Sequence, residues 1–172
     1  LFLKTKKIIT NKEILELAKL SKSNFTGIIN NNGNLKDIRR IRKFILPSSQ
    51  YGLRFNKSSS SIWDFRKGDM DLFITDKYGV LKNEIDYDDC SKRINKAKAK
   101  SEKIIFFFGG STMMSEGSRL PYFSIPSLVE KLLNIVSGES FTCINFGVGG
   151  TSCQEALNLL INRSLKIAKP DY

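Results

Sequence analysis

Two runs that each end in glycines constrain this chain most: Ile104 to Phe108 before Gly109 and Gly110, and Phe141 to Phe146 before "GVGG". The first is continuously apolar, too short to cross a bilayer, and closed by residues that break regular structure. Both runs therefore read as buried strands of a parallel sheet. Between them, Ile125, Leu128, Val129, Leu132, Leu133 and Val136 recur at intervals of three and four, with Pro126 in the first turn and Gly138 just past the end, which predicts a helix over 124–136. After the second run, Ser152 with Glu155 forms a capping-box pattern and opens a helix whose apolar positions are Ala156, Leu157, Leu160, Ile161 and Leu165. Strand, helix, strand, helix with short joints predicts a right-handed crossover and an α/β sheet covered on both faces by helices, with function gathered at the carboxyl edge.

Upstream the pattern is weaker. Helices are expected over 11–20, with Asn11 as cap, and over 35–46, where Arg39, Arg40, Arg42 and Lys43 oppose Ile38, Ile41 and Ile45. The serine-rich stretch 48–61 reads as a flexible connection, 62–83 as mixed aromatic and β-branched sequence with "TDKYG" as a turn, and 92–100 as a short exposed helix.

Charge separates the two halves. Of the 28 Lys and Arg, 22 lie in residues 1–100 against 11 of the 17 Asp and Glu. The remaining 6 of each cancel in 101–172, so the whole net charge of +11 sits in the first hundred residues. Such a segment attracts polyanions without selecting sequence. Aromatic residues interleaved with basic ones, among them Tyr51, Arg54, Phe55, Trp63, Phe65 and Arg66, could stack on bases or sugar rings, or simply fill a core. Three cysteines without a CxxC pair suggest neither a zinc site nor a disulfide framework, and there is no histidine.

The glycine loops can offer backbone N–H groups to an anion, either a bound phosphate or the oxyanion of an attacked ester. The usual phosphate motifs fail on spacing. Counting from Gly110, a P-loop needs glycine and lysine where Ser115 and Glu116 stand, and the dinucleotide fingerprint starting at Gly147 needs glycine where Ser152 stands. A Gly-x-Ser-x-Gly elbow needs glycine at Met113.

The blocks "FFFGGSTMMSEG" and "INFGVGGTS", with "LFITDKYGVLKN" upstream, resemble the SGNH/GDSL family of ester hydrolases over 70–172, in the variant with Gly-Gly-Ser-Thr at the nucleophile. The resemblance implies a three-layer α/β/α domain with a parallel, flavodoxin-like sheet over 61–172. A basic, mostly irregular or helical extension over 1–60 would precede it. It also implies that Ser111 is the nucleophile and a backbone oxyanion donor, and that Gly150 is a second donor. Gly109, Gly110, Asn145 and Gly147 would shape the loops. The expected activity is hydrolysis of a carbohydrate or polysaccharide O-acetyl ester through an acyl-serine, with no metal or organic cofactor. A small-molecule or polysaccharide ester is the expected partner, in preference to nucleic acid. The alternative is a non-catalytic module holding an anionic ligand or nucleic acid. The ordinary role of Ser111 would be a helix N-cap.

The sequence departs from the family where activity is decided. The asparagine of the third block and the aspartate and histidine of the fifth have no counterparts, and "KPDY", Lys169 to Tyr172, stands where members enter the third strand. The expectation is a truncated and, as printed, nearly inert chain, because a serine hydroxyl needs a base. No span of membrane-helix length is present. The compartment stays open between cytoplasm and cell envelope.

Overall fold

The computed structural model describes residues 57–66 and 69–172, the strand segments 24–30, 45–48 and 52–55, and Thr10, Lys12, Glu13, Glu16 and Leu17. It is a mixed α/β fold. Among the described residues up to Ile74 there are five strands: β1 (Asn24–Asn30), β2 (Ile45–Ser48), β3 (Gly52–Phe55), β4 (Ser59–Arg66) and β5 (Asp69–Ile74). Strand β4 lies centrally, parallel to β1 and antiparallel to β5, while β2 and β3 form an antiparallel pair.

Within the extension expected to be irregular or helical over 1–60, the described residues thus include strand as well as the helical Lys12, Glu13, Glu16 and Leu17, and β4 spans residues 59–66. The serine-rich stretch is likewise no free linker. Lys57 and Ser58 turn the chain, then Ser59 donates its N–H to the Thr75 hydroxyl and pairs with β5's continuation. Ile45 and Leu46, expected at the end of a helix, belong to β2, and the rest of that helix, 35–44, lies outside the described residues. Near the start, Asn11, expected as the cap, lies outside the described residues, while Thr10 and Glu13 bond reciprocally. The Thr10 N–H and hydroxyl donate to the Glu13 carboxylate, and the same hydroxyl accepts from the Glu13 N–H.

The second half follows the expected order: α1 (Cys90–Ala99), β6 (Lys103–Phe107), α2 (Ser111–Met114), α3 (Ile125–Val136), β7 (Phe141–Asn145), α4 (Cys153–Leu159), a π-helical turn (Leu160–Ser164) and α5 (Leu165–Ile167). Strands β6 and β7 pair in parallel, Phe107 level with Asn145, so both end at the same edge. Helix α1 is only partly exposed: Cys90, Ile94 and Ala97 are buried in the main core with Ile104, Phe106, Met114, Ile144 and Phe146. Its first N–H, on Cys90, donates to the Asp76 carboxylate at 2.7 Å. The same carboxylate accepts from the N–H groups of Tyr78 and Val80, tying the "TDKYG" turn to the helix.

The outer edge of β7 is closed by side chains. Asn134 accepts from the Phe141 N–H at 2.6 Å and donates to its carbonyl at 3.0 Å. Glu130 accepts from the Cys143 N–H at 2.6 Å, while Arg93 and Asn83 donate to the Cys143 carbonyl at 3.0 and 2.8 Å. Leu81 donates its N–H to the Asn145 carbonyl. Glu130 and Asn134, four apart, share one face of α3, so this helix meets the sheet with its polar side. Its apolar stripe faces away: Ile125, Leu128, Leu132, Ile135 and Val136 are 38 to 65% exposed. The stripe of the next helix behaves alike, with Leu157, Ile161 and Leu165 exposed and Leu159 buried. The other edge of β6 meets Asp171 and Tyr172, where the Asp171 N–H donates to the Ile104 carbonyl at 2.8 Å and the Phe106 N–H to the Tyr172 carbonyl at 3.1 Å.

Candidate functional site

Both glycine loops leave the sheet at the carboxyl ends of β6 and β7 and interlock. The Phe146 N–H donates to the Phe107 carbonyl at 2.8 Å, and the Val148 N–H to the Gly109 carbonyl at 2.9 Å, carrying the parallel pairing two residues past the strands. The Asn145 carboxamide, buried at 2% exposure, accepts from the Gly147 N–H at 2.9 Å and so bends the second loop. Gly147 then passes so near helix α2 that an added Cβ would stand 2.6 Å from the Met113 carbonyl carbon and the Met114 nitrogen. Only a residue without a side chain fits there. Gly109 and Gly110 pack similarly: their missing Cβ atoms would meet Met113 Cβ at 2.9 Å and the Thr151 carbonyl oxygen at 3.3 Å.

Ser111 is the first residue of α2 and half-buried. It is not the cap. Gly110 occupies that position, without side-chain capping, and its carbonyl accepts from the Met114 N–H. Among the described residues the Ser111 hydroxyl has no hydrogen-bond partner, and neither its N–H nor that of Gly150 donates to a protein acceptor. Gly150 is exposed with φ of +80°, a conformation side chains strain to adopt. Two unpaired N–H donors and a free hydroxyl thus sit on two adjoining loops.

The segment after α2 is held from the first sheet. Asp71 on β5, 2% exposed, accepts from the N–H groups of Gly117 and Arg119, and the Leu72 N–H donates to the Arg119 carbonyl. Ser115 and Arg119 adopt left-handed backbone there, with φ of +72° and +66°. Such conformations persist where surroundings over-determine them. Glu116 lies in this segment, its carboxyl raised above the ordinary range by desolvation first and by the Asp71 charge second. Beneath α2, a cavity of about 10 Å³ is lined by Leu72, Ile74, Leu81, Met114, Pro121 and Asn145. It holds one water at most, so it is no pocket for an acyl group.

Sequence reasoning missed Asp71, Asp76 and Thr151. Asp76 had a signal, since an aspartate opening a turn commonly binds the N–H groups that follow it. Asp71 had none, because its partners lie 46 and 48 residues away. Among the described residues no His, Cys, Asp or Glu cluster could hold a metal ion, and no helix is long and apolar enough to cross a membrane. Burial pushes the Cys143 thiol up to about 12 and that of Cys90 higher still, so both are inert core residues.

No protein-family profile, no curated protein and no solved structure matches this chain.

Proposed function

We propose that this chain carries the nucleophile half of an SGNH-type serine esterase. Ser111 Oγ attacks an ester carbonyl, the carbonyl oxygen becomes an oxyanion between the N–H groups of Ser111 and Gly150, and the alcohol leaves to give an acyl-serine that water hydrolyses. The observation that carries this is a single one. A hydroxyl free of any partner among the described residues begins a helix at a parallel strand's carboxyl end, beside a glycine loop with an unpaired N–H.

The sheet supports the flavodoxin-like arrangement expected with this chemistry. Strand β7 is closed at its outer edge by side chains, and Asp171 and Tyr172 already pair with the other side of β6. A base must take the hydroxyl proton. The 172 residues contain no histidine, and the proposal places that base outside this sequence. An O-acetylated carbohydrate is the proposed substrate class, which the basic first hundred residues would suit if the polymer is acidic.

The same unpaired N–H groups would hold an anion without chemistry, as in a binding module. Hydrolysis of 4-nitrophenyl acetate by the native polypeptide carrying this sequence separates the two. Turnover that disappears in Ser111→Ala supports the esterase, and turnover equal in both proteins refutes it.

A further inference from the structure

We infer that Thr151 is the positioning residue that clasps the two glycine loops, an inference that rests on the esterase proposal for its catalytic meaning. The Thr151 hydroxyl lies 2.8 Å from the Val148 carbonyl oxygen and 3.3 Å from that of Gly109, so one proton is shared between an acceptor in its own loop and one in the nucleophile loop. The Gly109 carbonyl also accepts from the Val148 N–H, and the Thr151 N–H donates to the Val148 carbonyl at 3.3 Å. The Thr151 carbonyl oxygen abuts Gly110, where any side chain would be tight.

Thr151 thus touches the two residues that precede Ser111 in the chain, and itself follows Gly150. The two candidate oxyanion donors are each within two residues of an atom bonded or packed through Thr151. An oxyanion site gains only if its donors are fixed before charge develops, because a loose pair must be ordered at the reaction's expense. The hydroxyl supplies that fixation across loops otherwise joined, among the described residues, by main-chain hydrogen bonds and by the packing of Gly147 on α2.

Amide hydrogen exchange and phenylboronic acid affinity, measured on the full-length protein and on Thr151→Val and Thr151→Ser, test this. The boron accepts the Ser111 Oγ lone pair as the hydroxyl proton leaves to solvent, giving a tetrahedral anion that the same N–H groups would bind. Thr151→Val keeps the shape and loses the hydroxyl. It should raise exchange at the Val148 and Thr151 N–H groups and weaken boronate binding roughly tenfold, one lost hydrogen bond's worth. Thr151→Ser should behave as the parent. Unchanged exchange in Thr151→Val overturns the clasp. So does equal loss in Thr151→Ser, which would assign the effect to the methyl group. Exchange that rises as expected while the parent protein binds no boronate supports the clasp and refutes the esterase instead.

Discussion

Gly147 and Met113 are in backbone contact: a Cβ on the glycine would lie 2.6 Å from the methionine's carbonyl carbon. Real Cβ atoms do not approach carbon so closely, so Gly147→Ala must push α2, and Ser111 with it, away from the second loop. Overpacking of this kind costs about 1 to 3 kcal/mol. Urea unfolding should show that loss, and a boronate titration should show weakened binding well beyond it. Parent-like values in both would mean that the loops are not seated as described.

Edge closure of β7 makes a separate prediction. Glu130 and Arg93 form a nearly buried pair at 2.6 Å, and Glu130 also accepts from the Cys143 N–H and the Tyr87 hydroxyl. Removing one partner leaves the other's charge and a strand N–H unpaired. Glu130→Ala should therefore cost about 3 kcal/mol or more, with Arg93→Ala adding much less on top of it in a double-mutant cycle. An open edge also templates pairing between chains, so light scattering should show the variant associating.

Helix α3 yields a prediction opposite to the one its sequence suggests. Leu132 stands on a strong apolar stripe, yet it is 58% exposed, whereas Leu120, in a stretch without periodicity, is fully buried. Leu132→Ser should change stability by less than about 0.5 kcal/mol, while Leu120→Ala should cost about 2 to 5 kcal/mol. Equal losses by thermal unfolding would contradict the placement of α3.

That inversion shows where the sequence was legible. Periodicity identified the helix expected over 124–136, which runs from Ile125 to Val136, since it depends on residues within a few positions of each other. It could not tell which face meets the sheet. That was decided by the hydrogen-bonding needs of Phe141 and Cys143 on an edge strand, which Asn134 and Glu130 supply. The capping box of Ser152 and Glu155 was legible for the same local reason. In the first hundred residues, frequent Lys, Asn and Ser hid β1, whose partner β4 lies far along the chain, and hid the local β2–β3 hairpin as well. At the site, the glycines after each strand announced the loops. What holds them, the Thr151 hydroxyl reaching the Gly109 carbonyl and the Asp71 carboxylate binding the segment after α2, depends on long-range proximity that spacing does not encode.

Glu116 gives a pH test. Desolvation and the Asp71 charge raise its carboxyl, so the folded state binds that proton more tightly than the unfolded chain does. Its ionised form therefore weakens the fold at neutral pH, and the penalty fades as pH falls through the raised value toward the ordinary carboxylate range. Glu116→Gln should melt slightly higher than the parent at pH 7 and lose that advantage near pH 4. An advantage that grows on acidification would reverse the assignment.

The central claim is that Ser111 is a nucleophile. Its most direct test is reaction of the native polypeptide with a fluorophosphonate, followed by mass analysis of the peptide spanning Lys103 to Arg119. The account predicts one phosphonyl adduct on Ser111, displaced fluoride, and no adduct in Ser111→Ala. A protein that stays unlabelled, or that is labelled equally after the substitution, would contradict it.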